Sequence, residues 1–344
     1  MGSLPISIVK LTNLKSLRLR SCCYLRELPS RMREMRSLVH LDVDKWLECI
    51  PCGIGDLCHL RSMPFFVPGG KTRCSIRELG ALDLKDKLHI KCLENVKTSK
   101  EAKEAKLILK NDLRELCLSW NLKSYINRKE NSIDIEEEGK SITEPIELSK
   151  KQEYSVDMPL VEQILENLQP PDMLSHLVIK EFPGKILPKW LRDSQLPNLV
   201  HIALVKCIKC EILPEFKNFE CLKVLILGML TEVRSLNCLG QVPSLEVLYL
   251  LYLPLVKCLG AEFYGGDVAF IRLEYLELKF MPELEEWYEV AAGFEFFPHL
   301  ATLIISMCPK LKKIPSNFST IKSLKVTVDD EILLSSITRV SNVR

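Results

Sequence analysis

The chain has 344 residues, with 47 Lys and Arg against 45 Asp and Glu and a formal net charge of +2. This balance gives no global argument for a nucleic-acid or membrane partner, and the most apolar run, Val247 to Val256, is about half a bilayer span. The 14 cysteines are scattered, many at apolar positions of the pattern below, which implies a reducing, cytoplasmic setting and not a disulfide scaffold.

The N-terminal MGSLPISIVK has no basic segment followed by a long apolar run, so it does not read as a signal peptide, and the myristoylation motif requires Ser or Thr where Ile6 stands. Leu4-Pro5 and Ile8 read as the end of a repeat, so the chain opens in mid-pattern without a polar cap. The first full unit places Leu11, Leu14, Leu17, Leu19, Cys22, Leu25 and Leu28-Pro29, with Cys22 where such units use Asn or Cys to satisfy backbone turns. The second places Leu38, Leu41 and Val43 before Ile50-Pro51, and a weaker third places Leu57, Leu60 and Met63. After Pro68-Gly69-Gly70 the pattern returns with Leu79, Leu82, Leu88 and Ile90. Ser99 to Lys110, rich in Ala, Lys, Glu and Leu, predicts a short helix leading into a strand at Leu116-Cys117-Leu118.

From Lys123 to Asp157 the apolar spacing disappears, and the segment is read as a polar, disordered insertion between repeats; a linker between two horseshoes is the alternative. Val161, Ile164, Leu165 and Leu168 make one helical face stopped by Pro170-Pro171, and Leu174, Leu177 and Ile179 open the next strand. The clearest stretch follows. Phe219, Leu222, Leu225, Leu227, Leu230, Val233 and Leu236 fall at steps of 3, 3, 2, 3, 3, 3, and Val242, Leu245, Leu248, Leu250, Leu253, Val256 and Leu259 repeat those steps 23 residues later. A helix requires steps of 3 and 4, so the single step of 2 marks a short strand and the steps of 3 mark tight turns. This is the L-x-x-L-x-L pattern of a leucine-rich repeat. Successive strands centre on Ile202, Leu225, Leu248, Leu276, Leu303 and Leu324, separated by 23, 23, 28, 27 and 21 residues.

One unit buries too little to order its own backbone, so neighbours must stack. The expected fold is an α/β leucine-rich-repeat solenoid, a horseshoe with about twelve short parallel strands on its concave face and irregular turns or short helices on its convex face. The expected divisions are N-terminal repeats over 1–122, the insertion over 123–157, C-terminal repeats over 158–328 and a tail or cap over 329–344.

Catalytic and metal-binding constellations are not apparent. Gly69-Gly70-Lys71-Thr72 resembles the end of a phosphate loop, but Phe65 stands where the motif requires its first Gly. Cys49-x-x-Cys52 and Cys207-x-x-Cys210 lie five strands apart, about 24 Å at about 4.8 Å per strand, too far to share a zinc ion; Cys207 and Cys210 fall at interior positions. His40, His89, His176 and His201 sit on separate repeats at positions expected to face the concave surface, as isolated exposed residues. There is no H-E-x-x-H pair and no Gly-x-Ser-x-Gly elbow, so no enzyme is expected.

Residues alternating with the interior leucines should face the concavity. Early repeats place Arg18, Arg20, His40, Asp42 and Asp44 there, a charged face. Later repeats place Val224, Ile226, Met229, Val247, Tyr249, Leu251, Tyr252, Tyr275, Phe280 and Ile304 there, an apolar face. Broad exposed apolar patches mark partners, and Tyr and Met favour interfaces, so the later face is the candidate protein-binding site with Tyr249, Tyr252 and Tyr275 as anchors. The alternative is that these side chains pack on one another across strands.

Longer strings add a family resemblance. Leu28-Pro29-Ser30, Met63-Pro64-Phe65-Phe66-Val67, Leu93-Glu94-Asn95-Val96, Glu115-Leu116-Cys117-Leu118-Ser119-Trp120, Met281-Pro282-Glu283-Leu284-Glu285-Glu286-Trp287 and Cys308-Pro309-Lys310-Leu311-Lys312 resemble the leucine-rich-repeat region of plant disease-resistance proteins of the coiled-coil, nucleotide-binding class. The resemblance implies a sensor and autoregulatory role. Such repeats recognise a pathogen effector or guarded host protein and restrain a nucleotide-binding switch domain, which would hold ADP or ATP; no cofactor is expected in this chain. A stand-alone adaptor and an inactive truncated relic are the other readings.

Overall fold

The computed structural model describes residues 2–43, 46–69, 74–121, 157–288, 295–315, 318 and 320–327. Its strands are β1 (Ser16–Leu19), β2 (His40–Val43), β3 (Phe65–Phe66), β4 (Asp86–Ile90), β5 (Leu113–Ser119), β6 (His176–Lys180), β7 (His201–Val205), β8 (Val224–Gly228), β9 (Val247–Leu251), β10 (Cys258–Leu259), β11 (Val268–Ala269), β12 (Tyr275–Lys279), β13 (Glu286–Trp287), β14 (Glu295–Phe296), β15 (Thr302–Ser306) and β16 (Ser323–Thr327). Ten form one sheet in the order β3-β4-β5-β6-β7-β8-β9-β12-β15-β16, every pair parallel. Parallel neighbours require a crossover, so the chain returns over the other side between strands. It does so through short 3-10 turns, through α1 (Ser99–Glu104), α2 (Met158–Asn167), α3 (Lys189–Arg192) and α4 (Ala261–Tyr264), and through the ladders β10–β13 and β11–β14.

The expected solenoid is present, with one break in its sheet. Among the described residues β1 pairs only with β2, and β2 reaches the third repeat through a single parallel bridge, His40 to Ser62. There the Leu41 N–H donates to the Ser62 carbonyl at 2.9 Å. Two residues on stands Pro64, which has no N–H to continue the ladder, and regular pairing resumes only at Phe65.

The alternation within each strand decides what is buried. Leu225, Leu227, Leu248, Leu250, Leu276 and Leu278 are fully inaccessible, and the core runs as one cluster from Val9 to Ile321. α1 is capped by the Thr98 hydroxyl, which accepts from Glu101 N–H at 3.2 Å, and α2 by the Asp157 carboxylate, which accepts from Leu160 N–H at 3.1 Å. α2 buries Val161, Ile164 and Leu165, and clips itself to the next repeat: Glu162 accepts from Lys185 and Ile186 N–H, and Trp190 donates through Nε1 to the Leu165 carbonyl.

The strand exits were not legible from the repeat pattern. Glu181, Lys206, Met229, Tyr252, Phe280 and Met307, each just beyond its strand, have φ between 55° and 58°, in the left-handed region. None is glycine, so each carries a backbone cost of about 1–2 kcal/mol. The gain is one more inter-repeat hydrogen bond: Lys206 N–H reaches the Gly228 carbonyl at 2.8 Å, Met229 the Leu251 carbonyl at 2.7 Å, and Tyr252 the Lys279 carbonyl at 2.8 Å.

Cys207 and Cys210 are buried, as expected from their interior positions, while Cys22, set at a backbone turn by its spacing, is exposed. Burial pushes the Cys210 thiol up to about 12 and the Cys92 and Cys308 thiols up to about 11. These groups keep their protons in the folded chain where unfolded thiols ionise, so their contribution to stability is complete below about pH 9 and is lost as the pH rises toward 11. A lower urea midpoint at about pH 10 than at about pH 8 is the expected result, with Cys210→Ala and Cys308→Ala flattening the difference. Among the described residues no helix is long and apolar enough to cross a membrane.

Candidate functional site

The strand register lines the outward residues into rows. One row runs His176, His201, Val224, Val247, Tyr275, Thr302; the next runs Val178, Ala203, Ile226, Tyr249, Glu277, Ile304. A third runs Lys180, Val205, Gly228, Leu251, Lys279, Ser306. Neighbours in a row stand one strand spacing apart, about 4.8 Å.

Val224, Ile226, Val247, Tyr249, Tyr252, Tyr275 and Ile304 therefore gather on one face, each partly exposed. Met229, Leu251 and Phe280 correct the sequence reading. They are only 6%, 8% and 6% exposed, and the rings of Tyr249 and Tyr252 pack against Leu251 and Phe280. These three are the floor of the face, because long side chains at strand ends and exits lie over their neighbours and cover one another. Cross-strand packing accounts for them, whereas the remaining seven stay accessible.

The tyrosines form a contact of their own. The Tyr249 and Tyr275 rings lie 5.2 Å apart at 46°, and the Tyr275 hydroxyl donates to Glu277 Oε2 at 2.7 Å. Burial, then the bond to Glu277, raises the Tyr275 phenol; burial, then the charge of Glu277, raises that of Tyr249. Both are neutral hydrogen-bonding groups at physiological pH. Glu277 was missed in the sequence reading although the signal was there, since Tyr275, Glu277 and Lys279 alternate with the buried Leu276 and Leu278.

Toward the N-terminus the same rows become polar. His176 and His201 are in contact, ring centroids 5.5 Å apart, and Ser175 Oγ lies 2.8 Å from His176 Nδ1. His89 is half-buried: its Nε2 lies 2.8 Å from Ser119 Oγ and its ring 5.5 Å from that of Phe65. Burial, with the charges of Lys91 and Lys180, pushes its imidazole down to about 3. The expectation of isolated, exposed histidines thus holds for neither His89 nor the His176–His201 pair.

On the charged face Arg18 stands in register with Asp42, and Arg20 Nε pairs with Asp42 Oδ2 at 2.5 Å. Arg18, Arg20 and His40 are exposed, and Asp44 lies outside the described residues. So do Gly70, Lys71 and Thr72 of the phosphate-loop resemblance, nearly all of the 123–157 insertion and the 329–344 tail.

Repeat spacing, a parallel sheet of one strand per repeat and a single core running its length define a leucine-rich-repeat solenoid. Its repeats are similar to those of plant disease-resistance proteins. Residues 76–230 match the R13L1/DRL21 leucine-rich-repeat family. The chain is 30% identical over 302 residues to the putative disease resistance protein RGA1 of Solanum bulbocastanum, with 87% of this chain and 24% of that protein covered. It is 31% identical over 275 residues to disease resistance protein RGA2 of the same species, with 79% and 23% covered. The chain thus spans about a quarter of the length of these relatives. Among solved structures, the leucine-rich-repeat protein LIC12759 of Leptospira interrogans is similar at a TM-score of 0.48 and 16% identity, covering 99% of this chain and 74% of that one.

Proposed function

We propose that this chain is the sensor and autoregulatory leucine-rich-repeat part of a cytoplasmic plant immune receptor, acting in defence by recognising a pathogen effector or a guarded host protein. It works by binding and not by catalysis. ADP or ATP is the ligand of a switch domain that this chain restrains and does not itself contact nucleotide through. The observation that carries this reading is the accessible patch of Val224, Ile226, Val247, Tyr249, Tyr252, Tyr275 and Ile304 on one face, on repeats similar to those of disease-resistance proteins. Soluble proteins seldom leave such a patch without a partner, and two touching tyrosines offer large contact area at low entropic cost.

The test is a two-hybrid screen with the chain as bait against plant and effector libraries, followed by retesting each interactor against Tyr249→Ala combined with Tyr275→Ala. The combined change is expected to weaken true interactors tenfold or more, about 1.4 kcal/mol at the least. Arg18→Ala with Arg20→Ala, on the charged face, should leave them unchanged. Interactors indifferent to the tyrosines would place recognition elsewhere on the chain.

A further inference from the structure

Among the described residues the apolar part of this face contains one carboxylate. Glu277 stands in register between Tyr249 and Ile304, and two residues along its strand stand Tyr275 and Lys279. Among the described residues Tyr275 is its one hydrogen-bond donor, at 2.7 Å, and it has no ion-pair partner. The nearby Lys279 directs its ammonium over the Phe280 ring, 5.4 Å from the centroid. Glu277 differs in this from three glutamates in or beside the strands of the main sheet. Glu115 is paired with Lys87 at 2.6 Å, Glu246 with Lys223 at 2.7 Å and Glu181 with Lys206 at 3.5 Å, each across neighbouring repeats.

An ionised carboxylate has about four lone-pair sites, and here one of them is answered by protein. Water supplies the rest while the face is open. A purely apolar partner that covered Tyr249, Tyr275 and Ile304 would strip that water and leave a buried charge without compensation, which is strongly unfavourable. A partner that seats a cation on Glu277 avoids the penalty. Arginine fits better than lysine, because its fork can take both carboxylate oxygens while its flat, weakly hydrated face lies against the adjacent phenol rings. The tyrosines also keep that ion pair dry.

We propose that the segment recognised on this face is an arginine flanked by apolar side chains, with its guanidinium on Glu277 beside Tyr249 and Tyr275 and its flanks on Ile226, Val247 and Ile304. This rests on the reading that the face binds a protein, and it adds the chemistry of what is bound. Glu277 is the residue that selects.

The experiment pans the whole 344-residue chain against a displayed library of random peptides. Enriched sequences should carry arginine between apolar residues, and the Glu277→Arg chain should enrich Asp or Glu at that position instead. A synthetic peptide from the leading clone should lose roughly ten- to hundredfold in affinity for Glu277→Gln, the range of a charge-assisted hydrogen bond, and several-fold when its arginine is changed to lysine. Glu277→Gln is near-isosteric and partly exposed, so an unchanged melting curve should accompany the loss. Enriched apolar peptides without arginine, lost with Tyr249→Ala and Tyr275→Ala but unmoved by Glu277→Gln, would overturn the arginine proposal and keep the face. Peptides insensitive to all three changes, or no enrichment, would overturn both.

Discussion

Replacing Gly240 by Ala is expected to destabilise the C-terminal repeats by about 3 kcal/mol, whereas Gly228→Ala, one strand away, is expected to stabilise them by about 0.5 kcal/mol. The difference is room. A methyl group on Gly240 would stand 2.5 Å from the Tyr264 carbonyl oxygen and 2.6 Å from the Ala269 Cβ, so neither obstacle is a flexible side-chain end. The next repeat is also pinned to this turn: the Phe270 N–H donates to the Gly240 carbonyl at 2.8 Å, and Gln241 donates to the carbonyls of Tyr264 and Val268 at 3.0 and 2.8 Å. The clash can be relieved only by moving a repeat. At Gly228 the nearest atoms, on Val205 and Leu251, are 3.9–4.0 Å away, ordinary contact, and the methyl group fills space while restricting the unfolded chain. Urea denaturation gives the two signs. Hydrogen exchange locates the first effect, since stability in a solenoid is largely nearest-neighbour and the lost protection should centre on β9 to β12. Equal midpoints for the two variants would remove the argument.

Acid should destabilise the chain through His89 by several kcal/mol. Its imidazole titrates near 6.5 when unfolded and is pushed down to about 3 in the fold, so between those values the unfolded state binds the extra proton. The contribution of neutral His89 is complete above about pH 6.5 and is lost as the pH falls, by about 1.4 kcal/mol for each pH unit, until about 3. The physical cause is local: a half-buried ring held against Phe65 and Ser119, with Lys91 and Lys180 for neighbours. The carboxylates of the chain also titrate in this range, so the decisive comparison is with His89→Asn, which keeps a polar group near Ser119 but takes no proton. The variant should lose less stability than the parent from about pH 6.5 to about pH 4; superimposable curves would show that His89 is protonated in the fold at no cost.

The candidate site was legible in part. Alternation with buried leucines placed Val224, Ile226, Val247, Tyr249, Tyr275 and Ile304 on one face, because a strand sends successive side chains to opposite sides whatever surrounds it. The same rule reaches Glu277, and attention to apolar residues alone passed over it. Met229, Leu251 and Phe280 were a different matter. Whether an outward side chain stands up or lies flat depends on the residues one strand away, and those neighbours are 23 to 28 residues distant in the chain. His89 was misread for the same reason: Ser119, its hydrogen-bond partner, is 30 residues away.

By itself, the sequence determined the architecture. A step of 2 among steps of 3, repeated every 21 to 28 residues, admits short strands and tight turns and nothing else, and a unit too small to bury its own leucines must stack. Tertiary structure alone decided the left-handed exits at Met229, Tyr252 and Phe280, where no glycine announces the conformation and an inter-repeat hydrogen bond sustains it. It also decided the setting of Glu277 beside two touching tyrosines. Local pattern fixes which side of the sheet a residue faces. Its charge environment and exposure are set by the repeats stacked on either side.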